Sequence, residues 1–232
     1  MARHPTARRV QRTDTTPDDA FVARLLEIIA WAKANATILV AAAAILVVGS
    51  AATVYYIGHK RTVSEQAEQE LTTVRQTAMS GNRALTIRDL ESFLQRYEGT
   101  RAADDARLLL AAAYLEEGES EKARTTVAKL ASKIKTPLGT QAAFLMAAAY
   151  EAEQQPERAE DLYLQIADQA QYEYQKRDAL DFAARIRSDR GDASGAAALY
   201  QRLVDMTDAG SPENAFFELR LAEMRAKAST GS

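Results

Sequence analysis

The 232-residue chain contains no cysteine. Disulfides, thiolate nucleophiles and Cys-ligated zinc are therefore excluded, while the redox compartment stays open, because such a chain suits oxidising and reducing surroundings alike. There are only two histidines, His4 and His59. From Lys60 to Ser232, Ser–His and Cys–His pairs and His/Cys zinc sites therefore cannot be assembled. β-Branched and aromatic residues are sparse outside one segment, which disfavours sheet. Charge of either sign is missing from Ala36 to Ile57.

What the chain has instead is alanine, the largest part of a 47% apolar fraction. That favours helices packed through small side chains. The net charge of −3 hides an asymmetry: Arg3, Arg8, Arg9 and Arg12 stand in an acid-free start, whereas from His59 onward 23 bases meet 28 acids. An acidic folded part lacks the basic face of a nucleic-acid binder.

Other chemistry is equally thin. Asp104-Asp105 and Glu116-Glu117 are adjacent on predicted helices, so each pair points about 100° apart, as solvated surface charges do. "GDASG" (191–195) lacks the Lys-Ser/Thr of a phosphate loop, "RGD" (190–192) falls in the same turn, and "DMTDAG" has too few spaced carboxylates for calcium. No enzyme, cofactor, metal or small-molecule substrate is expected.

The uncharged run "ATILVAAAAILVVGSAATVYYI" would span about 33 Å as a helix, close to the roughly 30 Å of a bilayer core. Trp31 and Lys33 before it and Tyr55 and Tyr56 at its end are expected at the membrane interface. "GSAA" (49–52) resembles a signal-cleavage site, but about 35 residues precede the run and it continues to Ile57, so a retained single-pass helix is expected. Six basic residues precede it, and a long C-terminal domain translocates regardless of its charge, so the N-terminus is placed in the cytoplasm.

The layout expected is a basic tail (1–15), an amphipathic interfacial helix (16–34) with Thr16 as N-cap and Pro17 in its first turn, and a transmembrane helix (35–58). A first helical hairpin (59–99) turns at Ser80-Gly81-Asn82, and repeats fill 100–232. The tail is solvated or touches anionic lipid.

The repeats are visible directly. "LLAAAYLEEGESEKA" (109–123) returns as "LMAAAYEAEQQPERA" (145–159), identical at eight of fifteen positions. Ala123 recurs as Ala159 and Ala196, Val127 as Tyr163 and Tyr200, Leu130 as Ile166 and Leu203. Leu110-Ala111 becomes Met146-Ala147 and Ala183-Ala184, with turns "EGES", "QQPE" and "GDAS". Thr136-Pro137 and Ser211-Pro212 read as N-cap plus Pro at the first helical position. A helix–turn–helix unit near thirty-six residues implies an all-α solenoid of about three to four hairpins, closed by a C-terminal capping helix.

A Leu-Ala pair, an aromatic three residues on, Ala nine later, then an aromatic and a Leu resemble the tetratricopeptide repeat. The units cover about 104–137, 140–172 and 177–210. Arg187 stands where the third should have Tyr, and Arg107, Ala143 and Leu180 stand where the family has Trp. With the tail, the run ending "WAKAN" and the single span, the layout resembles the tetratricopeptide-like ancillary subunits of the bacterial Sec translocon. Those are inner-membrane proteins with periplasmic repeats. "YEGT" (97–100) is also similar to repeats of cell-envelope assembly proteins. The resemblance implies protein partners in the inner membrane or periplasm, contact with membrane lipid, and no nucleic acid. It also implies a groove lined by the first helix of each unit: Asp105, Leu108 and Ala112; Gln141, Phe144 and Glu151; Asp181, Arg185 and Asp189. Leu108 and Phe144 are either apolar anchors for a peptide or, with a slight shift of register, core. Two functions stay open: an interaction module acting through that groove, or a structural accessory subunit of a large inner-membrane complex held through its membrane helices.

Overall fold

The computed structural model of the chain describes residues 17–79 and 81–230, with side chains from Phe21 onward. The basic tail expected at 1–15 and the Thr16 N-cap lie outside the described residues. The regular structure described is all α-helical: α1 (Pro17–Ala34), α2 (Ala36–Met79), α3 (Arg83–Arg96), α4 (Arg101–Glu116), α5 (Ser120–Ala131), α6 (Pro137–Ala152), α7 (Pro156–Gln169), α8 (Glu173–Asp189), α9 (Ala193–Asp205) and α10 (Pro212–Thr230). The chain divides into two compact units, Met1–Lys60 and Arg61–Ser232.

In the first unit the Asn35 N–H donates to the Trp31 carbonyl at 2.9 Å and the Leu39 N–H to the Asn35 carbonyl at 3.0 Å. The ladder therefore carries α1 into α2 without a loop. Ile38, Val40, Ile45, Leu46, Val47 and Val48 are exposed, as are Trp31, Tyr55 and Tyr56. Among the described residues, α2 is the one helix long and apolar enough to cross a membrane, and none of its apolar window is buried. Ser50 Oγ and Thr53 Oγ1 donate to the carbonyls of Val47 and Gly49 at 2.9 and 2.8 Å, so these hydroxyls are satisfied inside the helix. The sequence placed a boundary at residue 58, whereas α2 runs on to Met79. Gly58 alone costs a helix about 1 kcal/mol, too little to end one with no Pro nearby.

The second unit is a stack of hairpins. Ala67, Leu71 and Val74 near the end of α2 are buried with Leu90 and Phe93 of α3, and Tyr97 Oη donates to Glu70 at 2.8 Å. α4/α5, α6/α7 and α8/α9 follow, each helix packed on its chain neighbour, α4 also on α6, and α10 on α9. Helix starts are set by side chains that accept from the third residue on: Asn82 from Leu85 N, Thr100 from Ala103 N, Thr136 from Gly139 N, Asp192 from Gly195 N and Ser211 from Asn214 N. Gly139 sits so close to the preceding turn that a Cβ there would overlap the Lys133 carbonyl.

Alanine is what lets the helices approach. Ala111 and Ala123, Ala147 and Ala159, and Ala183, Ala184 and Ala196 are fully buried. Larger residues fill beside them: Tyr114 and Val127 in the first unit, Tyr163 in the second, Tyr200 in the third. The turn inside each hairpin needs left-handed backbone, at Gly118 (φ +78), Gln154 (φ +59) and Gly191 (φ +84). The middle unit therefore carries a side chain where its neighbours carry none.

Candidate functional site

The nine groove positions inferred from the repeat register all fall on first helices: Asp105, Leu108 and Ala112 on α4; Gln141, Phe144 and Glu151 on α6; Asp181, Arg185 and Asp189 on α8. Their environments differ. Gln141, Arg185 and Asp189 are exposed, and the other six are half-buried.

The face between α6 and α8 is filled by the protein itself. Phe144 packs on Tyr163 of α7 and Phe182 of α8, with ring centroids 5.9 and 6.0 Å apart, and Tyr163 stacks on Phe182 at 5.1 Å. Tyr163 Oη donates to Glu151 Oε1 at 2.7 Å, while Arg185 Nη2 donates to Glu151 Oε2 at 3.2 Å and its guanidinium lies 4.8 Å over Phe182. One carboxylate thus joins the phenol and the guanidinium beside a cluster of three rings, of which Tyr163 and Phe182 are stacked and Phe144 meets Phe182 edge-on. Burial, reinforced by the bond to Glu151, raises the Tyr163 pKa well above that of a free phenol.

The α4 positions are arranged differently. Asp105 pairs with Arg75 of α2 at 3.4 Å, and Leu108 packs on the core as a partly buried side chain. Ala112 lines an apolar cleft of about 180 Å³ with Val74, Ala78, Leu90, Leu109 and Ala113, and Arg83 and Glu116, 2.9 Å apart, sit at its rim. A second cleft of about 210 Å³, between Glu98, Arg107, Lys129 and Lys133, is polar. Both are smaller than the roughly 300–1,000 Å³ typical of small-molecule sites, and the apolar one has room for a protein side chain. Two further hollows, of about 410 and 390 Å³ and both lined by Glu121 and Glu153, lie open at the surface. Asp181 lies beside Tyr200 and raises its pKa, second to burial.

The carboxylate pairs carry no acid–base geometry. Asp104 pairs with Arg107 at 2.8 Å, Asp105 with Arg75, and both Glu116 and Glu117 with Arg83. Among the described residues, no group of three or more His, Cys, Asp or Glu side chains could hold a metal.

Sequence reasoning missed the inter-hairpin contact made at positions 114, 150 and 187. Tyr114 Oη donates to Glu91 of α3; the Arg124 guanidinium of α5 lies 5.6 Å over the Tyr150 ring; Arg187 Nε donates to Glu160 Oε1 of α7 at 2.6 Å. Each first helix reaches back to the second helix of the preceding hairpin through the same register position. Arg187, which departs from the repeat pattern, keeps the contact through a hydrogen bond to a carboxylate, as Tyr114 does with its hydroxyl, where Tyr150 uses its ring. Phe182 was also missed, because it stands one residue from the Asp181 aligned with Phe144; its repeat equivalents are Leu109 and Leu145.

Comparison with known proteins agrees with this geometry. The tetratricopeptide repeat-like domain family matches residues 30–172, which takes in the apolar part of α2 as well as the hairpins through α7. A crystal structure of the nearly identical TPR-like repeats of a candidate kinesin light chain from Podosopora anserina superposes with a TM-score of 0.58 at 16% identity, covering 72% of this chain and 89% of that one. At that identity the likeness is one of fold. No curated protein matches the chain. Repeats of this kind are protein-interaction scaffolds, typically without catalytic activity. Sequence pattern, stacked hairpins and family match agree: the chain belongs to the tetratricopeptide repeat-like domain family.

Proposed function

We propose that this protein is a membrane-anchored interaction scaffold: the Ala36–Ile57 stretch crosses the bacterial inner membrane, the N-terminus is cytoplasmic, and the repeats work in the periplasm beside an inner-membrane complex such as the protein-export translocon or its chaperones. The observation that carries the anchor is an uncharged helical stretch whose large apolar side chains have no protein cover. A soluble core helix would have its apolar side chains covered; these stand bare along its length, and their hydroxyl neighbours are already satisfied. The family match, which begins at residue 30, supports reading the anchor and repeats together. The resemblance to ancillary Sec-translocon subunits supports the choice of complex, and the acidic repeats favour protein over nucleic acid.

Within the scaffold, exposed Gln141 and Asp189, half-buried Asp181 and the cleft beside Ala112 together offer acidic rims and one apolar hollow. These suit an extended or helical segment that inserts an apolar side chain. The second reading, a structural accessory subunit held through α1 and α2, draws on the small residues Ala41–Ala44 and Gly49–Ala52, which allow close helix packing.

Photo-crosslinking in the full-length chain separates the two. A crosslinking residue at Ala112 or Asp181 captures a discrete partner if the scaffold reading holds. Capture from Ala43 alone favours the accessory-subunit reading. A C-terminal reporter fusion active only in the cytoplasm would rule out the periplasmic placement.

A further inference from the structure

The last helix has two faces. Asn214, Phe217, Leu221 and Met224 of α10 are buried on the side that meets α9. The opposite side carries Ala215, Phe216, Leu219, Ala222 and Ala226, all exposed, with Phe216 48% and Leu219 60% accessible. A solenoid helix with no neighbour on its outer side presents a polar face to water there. This one presents an apolar stripe two turns and more long. Its two large side chains stand among alanines that let a facing helix come close.

The charges beside the stripe say what fits it. With Leu219 and Ala226 at one seam position and Ala215 and Ala222 at the other, Glu218 and Arg225 fall on one flank of the seam, and Phe216 and Glu223 on the other. Glu218 has no ion-pair partner among the described residues, while Gln201 holds Arg225 at the surface by a 2.8 Å hydrogen bond. In a parallel pair of such helices, Glu218 of each copy would meet Glu223 of the other, a carboxylate that Arg220 already holds at 2.9 Å, so neither Glu218 would gain a cation. In an antiparallel pair the same flanks face each other, so Glu218 of each copy meets Arg225 of the other twice over. The pattern is self-complementary about a two-fold axis near residue 221, as an isologous contact requires.

We propose that the outer face of α10 is a homodimer interface in which two copies of this chain pair antiparallel through Leu219, Ala215, Ala222 and Ala226, with reciprocal Glu218–Arg225 ion pairs. Phe216 closes the apolar seam at its N-terminal edge.

The absence of native cysteine makes the geometry directly readable. In the antiparallel arrangement the two Ala222 positions lie about 3 Å apart along the helix axis, within disulfide reach across close helices, whereas the two Ala215 positions lie about 18 Å apart. Full-length protein in native membranes, mildly oxidised, should give a disulfide-linked dimer from Ala222→Cys and none from Ala215→Cys. Adding Glu218→Arg to Ala222→Cys should cut the dimer at least fivefold, and adding Arg225→Glu to that variant should restore it. All these positions are solvent-exposed, and unchanged circular dichroism would verify the fold. Equal crosslinking at both positions, none at Ala222, or no restoration by the double charge exchange would overturn the proposal; the last two results would instead leave the face to a different protein.

Discussion

Arg187 Nε donates to Glu160 Oε1 at 2.6 Å, and Arg190 Nη1 reaches the other oxygen of the same carboxylate at 3.0 Å. Glu160 is buried in α7, so its charge depends on these two guanidinium groups. Arg187→Ala should destabilise the protein by about 1–2 kcal/mol, and more than Arg190→Ala, whose side chain is the more exposed of the two. Urea unfolding of the two single variants and of each combined with Glu160→Gln gives the coupling energies. Equal, near-zero losses would refute the dependence of Glu160 on these two partners.

The middle hairpin turns through Gln154 at φ +59, where its neighbours use Gly118 and Gly191. A left-handed residue with a Cβ costs about 1–2 kcal/mol, part of which glycine gives back as unfolded-chain entropy. Gln154→Gly should therefore raise stability by about 0.5–1 kcal/mol, and Gly118→Gln should lower it by a similar amount. Thermal melts of the pair test both signs at once.

Tyr114, Tyr163 and Tyr200 ionise at higher pH than a free phenol, in each case first because of burial and then because of Glu91, Glu151 and Asp181 respectively. Tyrosines of the unfolded chain ionise near pH 10. Above that pH the unfolded state binds fewer protons than the native one, so stability is complete below about pH 10 and falls as pH rises further. Helical circular dichroism should collapse in the same alkaline window in which tyrosinate absorbance appears. Tyr163→Phe should weaken the pH dependence.

The groove positions divide into two classes that mutation can tell apart. Phe182→Ala removes a ring that packs on both Tyr163 and Phe144 and should cost about 2 kcal/mol, less than a fully buried Phe because the site is half open. Gln141→Ala and Asp189→Ala touch exposed side chains and should stay within about 0.5 kcal/mol of wild type. If these two also abolish partner capture, they mark the contact surface. A stability loss from either would place it in the fold instead.

Much of this was legible along the chain. The echo of "LLAAAYLEEGESEKA" located the hairpins, Thr136-Pro137 and Ser211-Pro212 marked helix starts, and the thirty-six-residue spacing identified the alanines that prove fully buried. These features are local: a cap, a turn or a 3.6-residue stripe acts over a few neighbours, and repetition states each one again. The lack of cysteine throughout, and of histidine after His59, narrowed the chemistry expected of the repeats by composition alone.

Other features depend on residues that the stacking brings together. Phe144 was either anchor or core until Phe182, thirty-eight residues away, was seen against it, and a one-residue register difference hid Phe182 behind Asp181. Arg187 read as a broken repeat until Glu160 appeared on the preceding helix. The terminal helix read as a cap because its inner stripe suits one; its apolar outer face shows only when packing assigns which stripe is already covered. Periodicity names the helix and its faces, but what each face meets is set by which neighbouring helix packs against it.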